Sequence, residues 1–182
     1  MSKPNSNLFK GTTGIIMYNA YFTRDYMNDI IKARIKELDL NKHPVKKRSD
    51  TPLGEIKNKI KNRTATIDEY KTLMQAKRLK RRRDLGVKRF WKKERLRILN
   101  NEPTTRNWNA QQMRDIITGK RPKFLNKTMQ GHHTFSVKDY PHLADKGEII
   151  FPVTFHEHLY GCHGGNYKKS KPGKLIKNIK DF

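Results

Sequence analysis

Cysteine is nearly absent from this 182-residue chain, and its one occurrence, Cys162, excludes an internal disulfide framework and any Cys-x-x-Cys zinc site. Folding in a reducing compartment is therefore allowed. Long apolar runs are missing too: nothing approaches the roughly 20 residues that cross a bilayer, and the polar opening Met1-Ser2-Lys3-Pro4-Asn5 reads as no secretory signal. Apolar residues make up only 34%, enough for a thin core in one modest domain or in a small domain with an appended helical segment. Acidic residues are scarce as well, 17 against 41 Lys and Arg. The resulting formal charge of +24 attracts polyanions and repels other basic surfaces. A surface that is merely soluble usually mixes both signs, so nucleic acid is the expected partner.

The excess is concentrated. Between Lys42 and Asn100 there are 21 Lys and Arg against six Asp and Glu. Arg78, Lys80, Arg81, Arg82, Arg83, Lys88, Arg89, Lys92, Lys93, Arg95 and Arg97 cover nearly every face of a helix, so they cannot all turn towards a core. Of these, Arg81, Arg82, Arg83, Lys88, Arg89, Lys92 and Lys93, together with Lys120 and Arg121 downstream, are the candidate nucleic-acid contacts. Contacts to phosphate confer affinity that falls steeply with salt and carry no sequence information. Phe90 and Trp91 share a helical period with Val87 and Ile98, which favours a core role over base stacking.

Periodicity organises the first two thirds as helices. Residues 5–19 read as loop or short strand. Thr23 is a candidate N-cap for a helix near 24–39, with Tyr26, Met27, Ile30, Ile31, Ile35 and Leu38 on one stripe. Residues 41–50 read as a solvated linker. A short helix to about residue 62 is expected after Thr51, with Pro52 at its first position. Thr66-Ile-Asp-Glu69 is a capping-box pattern opening a helix from 67 to about 83, which Gly86 is expected to interrupt before a second amphipathic stretch ends ahead of Pro103. Asn109 with Gln112 opens another helix that stops at Gly119. Residues 121–133 then read as strand, turn, strand, and residues 155–166 as helix up to Gly164-Gly165.

Six of the seven histidines lie between residues 132 and 163. Neutral imidazole is the commonest protein ligand for transition metals and the usual general base near neutral pH, so the cluster points to metal-assisted hydrolysis. Without cysteine ligands, an open catalytic site is favoured over a closed structural one. His158 and His163 are five residues apart, which on 3.6-residue geometry diverges by about 140°. His163 is therefore expected past the helix end, where Gly161, Gly164 and Gly165 permit unwinding. On a strand, His132 and His133 point to opposite faces unless a bulge or the strand end re-aims one of them. A His-His strand followed by a helix bearing two more histidines is the arrangement of a ββα-metal fold.

Pro122-Lys-Phe, Gln130-Gly131-His132-His133, Ser136-Val137-Lys138, Tyr140-Pro141-His142-Leu143-Ala144, Glu157-His158-Leu159 and His163-Gly164-Gly165-Asn166 recur in this order in a known family. Together they resemble the HNH/endonuclease VII nuclease domains at the C-termini of bacterial polymorphic toxins such as LXG and Rhs effectors. The resemblance covers about residues 104–168. With the charge and helical periodicity upstream, it gives an α+β protein in two parts: a basic, mostly helical extension over 1–103, read from the pattern alone, and a ββα-metal HNH nuclease domain with a basic C-terminal tail over 104–182, which the resemblance implies. It also implies roles: His133 as general base, and His132, His158 and His163 as ligands of one divalent ion, with Mg, Mn, Zn and Ni all compatible. Asn166 would orient a ligand, cap a turn or bind the metal. Many relatives carry an Asn between the His-His strand and the helix. Here that neighbourhood reads Asp145-Lys146-Gly147-Glu148-Ile149-Ile150, and Glu148 is not expected to substitute as a ligand.

The activity so implied is metal-dependent endonucleolytic cleavage with little sequence preference, DNA favoured over RNA, by an antibacterial toxin domain. A phage or mobile-element HNH nuclease is the alternative, and a non-catalytic basic nucleic-acid-binding protein is a third reading. The resemblance further implies export within a larger effector or by a separate system, action in the cytoplasm of a target bacterium, and an acidic immunity protein as partner.

Overall fold

The structure, a computed structural model, describes residues 24–167. The readings of residues 5–19, of Thr23 as a cap and of the basic C-terminal tail lie outside the described residues. Among the described residues the architecture is α+β: four α-helices, two small antiparallel sheets and a final π-helical turn. Helix α1 spans Arg24–Arg34, α2 Leu53–Lys61, α3 Ile67–Leu99 and α4 Ala110–Ile117. Strands β1 (Lys123–Phe124) and β2 (Lys127–Thr128) pair with each other, and β3 (Gln130–His133) pairs with β4 (Ile150–Val153). The π-helical turn covers Glu157–Cys162.

Capping chemistry sets several boundaries. The Thr66 hydroxyl accepts from the Glu69 amide at 3.2 Å while the Glu69 carboxylate accepts from the Thr66 amide at 2.8 Å. The same reciprocal pair forms between Asn109 and Gln112 at the start of α4. Pro52 occupies the N-cap of α2 rather than its first helical position, and α1 ends at Arg34, ahead of the expected 39.

Gly86 does not interrupt α3, which runs unbroken for 33 residues, about 50 Å. Its role is close approach: a Cβ at Gly86 would lie 2.5 Å from the Ala144 carbonyl oxygen. Residues 121–133 also differ from a simple strand, turn, strand. The tight hairpin β1–β2 turns at Leu125-Asn126, both at positive φ, and β3 turns away to pair with β4. Residues 150–153, to which the sequence assigned no element, are that strand; all four are buried, so no alternation marked them.

Two apolar clusters hold these elements. The larger brings Met27, Ile31 and Ile35 of α1 and Phe90 of α3 against Leu143, Ile149, Ile150, Phe151 and Val153, so it draws on both sides of residue 103. The smaller packs Trp108 and Ile116 with Met129, against the flanks of Trp91 and Ile98. Phe90, at 1% exposure, is a core residue. Beneath α3, Glu94 is fully buried and accepts from the Thr105 amide and hydroxyl, both at 2.6 Å, from Trp108 Nε1 at 2.8 Å and from Arg97 at 2.9 Å. Four donors meet the demand of a buried carboxylate and pin the 104–108 segment to the helix.

Candidate metal centre

The site is built where β3 meets the π-helical turn. In β3 the register with β4 is unbroken, with His132 opposite Phe151 and His133 opposite Ile150. Gly131 is required there, because a Cβ would meet a Val87 methyl at 2.9 Å and an Ile150 methyl at 3.0 Å. The turn bearing His158 is anchored at its start. The Thr154 amide donates to Glu157 Oε2 at 2.7 Å, and the Glu157 amide donates to the Thr154 hydroxyl at 3.2 Å. Glu157 also receives both guanidinium nitrogens of buried Arg106, at 2.8 and 2.9 Å, and Arg106 donates to the Pro152 carbonyl at 3.0 Å. This bidentate pair ties the end of β4 to the start of the turn.

Residues 155–166 are not one regular α-helix: the wide turn over Glu157–Cys162 changes which residues share a face. Bonding from i to i+5 winds the chain more widely than the i to i+4 bonding of an α-helix, so more than 3.6 residues fill each turn and residues five apart diverge less. His163 caps the turn, past the helix end as expected, and the wider winding brings it back over His158. Their Nε2 atoms are 3.3 Å apart. Two ligands bound at 2.0–2.1 Å in a tetrahedral site are separated by about 3.3 Å, so the spacing fits a shared cation. The His132 ring lies 5.2 Å from that of His158 and 5.4 Å from that of His163. One nitrogen of each of the three lies within 4.8 Å of the others.

Electrostatics keep His132 and His158 neutral. Burial, then the neighbouring histidines, push His132 down to about 3; burial, His163 and the Arg83 guanidinium push His158 down to about 4. An imidazole that resists protonation keeps its lone pair for a metal. Gln130 fixes which lone pair: His158 Nδ1 donates to Gln130 Oε1 at 2.5 Å, so Nε2 is the bare nitrogen facing His163.

His133 stands apart from this group. Its Nε2 is 3.0 Å from the Ala144 carbonyl oxygen, an acceptor, so Nε2 carries the proton and Nδ1 keeps a lone pair. Burial lowers its pKa too.

The remaining predicted residues divide. Arg82 donates to Asp145 at 2.6 Å and to the His142 carbonyl at 2.7 Å, Arg89 donates to Asp145 at 2.5 Å, and Lys93 pairs with Glu148. These three clamp α3 to the 142–148 segment, and Glu148 is engaged in that clamp rather than at the histidines. Arg81, Arg83, Lys88, Lys92, Lys120 and Arg121 are exposed. Among them Arg83 stands near enough to depress both His133 and His158. Asn166 is exposed, with its amide bonded to the His163 carbonyl at 3.2 Å. Gln130 and the Arg106–Glu157 pair escaped the reading of the sequence. Each had a signal: Gln130 is two residues from His132 on a strand, hence on the same face, and Thr154-x-x-Glu157 has capping-box spacing.

Residues 74–154 match the model of the Tox-GHH family, described as GHH signature containing HNH/Endo VII superfamily nuclease toxin. The matched stretch takes in most of α3, both sheets and Gly131-His132-His133, and ends just short of the turn that carries His158 and His163. Nucleases of this superfamily are metal dependent. No curated protein matches the chain. No helix among the described residues is long and apolar enough to cross a membrane.

Proposed function

We propose that this GHH-signature nuclease-toxin domain is a metal-dependent endonuclease with a ββα-metal core made of β3, β4 and the π-helical turn, and that it hydrolyses phosphodiester bonds of DNA with little sequence preference. One observation carries the reading: three imidazoles share a point while a fourth, on the next residue of the strand, keeps its own lone pair. His132, His158 and His163 would hold one divalent ion, with Zn and Ni best suited to imidazole and Mg or Mn set by availability. Such an ion, when bound, supplies charge neutralisation at the scissile phosphate.

His133 acts as general base. Its Nδ1 takes a proton from the attacking water, and the Ala144 carbonyl holds the ring through that transfer because Nε2 keeps its proton throughout. Gln130 orients His158. Arg83, exposed and close to both His133 and His158, meets the substrate backbone; Arg81, Lys88, Lys92, Lys120 and Arg121 extend the contact, and Asn166 steadies the end of the turn that presents His163. The domain acts in the cytoplasm of a target bacterium after delivery by a larger effector or a separate system. An acidic immunity protein in the producer covers the same basic face.

The test is conversion of supercoiled plasmid to nicked and linear forms with magnesium, manganese, nickel or zinc, beside His133→Ala. The unaltered protein is expected to cut with at least one metal and the variant to be severely impaired. Plasmid that is bound but left intact with every metal would overturn the enzyme in favour of a basic nucleic-acid binder.

A further inference from the structure

A second group of metal-ligating side chains lies outside the three-imidazole cluster. Asp39 and His43, in the segment after α1, meet His142 on the short turn Pro141–Leu143, and one donor atom of each lies within 4.8 Å of the others. Two of the three residues precede the family match, which starts at residue 74.

The surroundings of each side chain prepare it for a cation. His142 Nε2 lies 2.9 Å from the Asp39 backbone carbonyl and so must donate, which leaves the lone pair on Nδ1. That Nδ1 is sealed from solvent and has no hydrogen-bond partner. A buried acceptor without a donor is rare. On Asp39, Oδ1 accepts from the Asn41 amide at 2.9 Å and from the Asn41 side chain at 2.8 Å, so the carboxylate is oriented from behind and Oδ2 faces His43 Nε2 at 2.7 Å. The His43 amide donates to the Asp139 carbonyl at 2.9 Å, which brings the His43 ring to 4.6 Å from that of His142. For tetrahedral ligands the 2.7 Å contact has to open to about 3.3 Å. With the His43 and Asp39 side chains 52% and 49% exposed, small rotations suffice.

We propose that Asp39, His43 and His142 form a second divalent-cation site, of zinc type, that clasps the segment after α1 to the turn at 141–143. Two imidazoles and a carboxylate are a borderline donor set that suits zinc, with water completing the coordination. The cation replaces the proton shared by His43 and Asp39 and occupies the His142 lone pair. Its role is structural, because it joins residues that the chain separates by about a hundred positions.

Zinc uptake by the full chain, measured by equilibrium dialysis, tests the site. Asp39→Asn and His43→Gln are each expected to bind one zinc per chain fewer than the unaltered protein, while His132→Ala/His158→Ala keeps that zinc. Both single substitutions are at exposed positions, and far-UV circular dichroism reports whether they fold. In the His132→Ala/His158→Ala background, zinc is expected to raise the thermal midpoint, and adding His43→Gln is expected to abolish the rise. Zinc uptake unchanged by both Asp39→Asn and His43→Gln, or lost entirely in His132→Ala/His158→Ala, would overturn the site.

Discussion

On β3, His132 joins His158 and His163 around a common point, whereas the next residue, His133, donates through Nε2 to the Ala144 carbonyl on the turn packed against Gly86 of α3. The two residues are adjacent on the strand, and their rings take different partners. The two settings differ in construction. In the first, burial holds down the pKa values of His132 and His158 and Gln130 orients the His158 ring, which suits a metal. The second is made from one donor bond that fixes a tautomer and leaves a base. In the proposed roles a ligand spends its lone pair and a base must keep one, and neighbouring imidazoles with different partners meet both needs.

The comparison is tested most severely by removing the ligand side. His132→Ala with His158→Ala is expected to abolish metal binding at the three-imidazole centre, leaving only the cation proposed for Asp39, His43 and His142, and to lower plasmid cleavage by more than about 10³-fold, since a bound cation contributes several kcal/mol to the transition state. Metal titration by calorimetry beside the cleavage assay measures both. The base side comes next. His133→Ala is expected to lower cleavage by about 10²- to 10⁴-fold while the metal titration stays that of the unaltered protein. If metal affinity falls as far in His133→Ala as in the first variant, the division of labour across β3 is wrong.

Gln130→Ala sharpens the same contrast from the ligand side. Without the amide oxygen, His158 loses the bond that holds Nε2 towards His163. Metal affinity is expected to fall by about 10- to 100-fold, and saturating metal should restore most of the cleavage rate. A loss that excess metal cannot restore would place Gln130 in the chemical step.

Local chemistry was legible wherever it is settled within a few residues. Thr66 with Glu69 and Asn109 with Gln112 form the boxes their spacing promised, and Met27, Ile31 and Ile35 bury the stripe their period drew. The three clustered histidines also come together, one nitrogen of each within 4.8 Å of the others. Longer-range features were hidden for physical reasons. Residues 150–153 are buried on every side, so β4 carries no alternation, and its pairing with β3 spans the whole 134–149 connection. The fit of His158 to His163 depends on a π-helical winding that 3.6-residue arithmetic cannot anticipate. Arg82, Arg89 and Lys93 carry the same charge as their neighbours, and only the fold reveals that Asp145 and Glu148 wait beneath them.

Gly86 was the least legible residue, and it offers the finest test of the base side. In sequence a glycine amid a helical pattern suggests a break. In the fold it is the gap through which the Ala144 carbonyl approaches α3, and that carbonyl holds His133. Gly86→Ala improves intrinsic helix propensity by up to about 1 kcal/mol, yet it drives a methyl to 2.5 Å from a backbone oxygen that no rotamer change can move. The steric term should win, because overpacking against backbone costs about 1–3 kcal/mol. Denaturant unfolding is expected to show a net loss of stability. The displaced carbonyl should also slow cleavage while leaving metal affinity intact, the mirror image of Gln130→Ala. A variant more stable than the original, with cleavage unchanged, would show that the 144–145 turn yields to the methyl and that its contact with α3 does not set the orientation of His133.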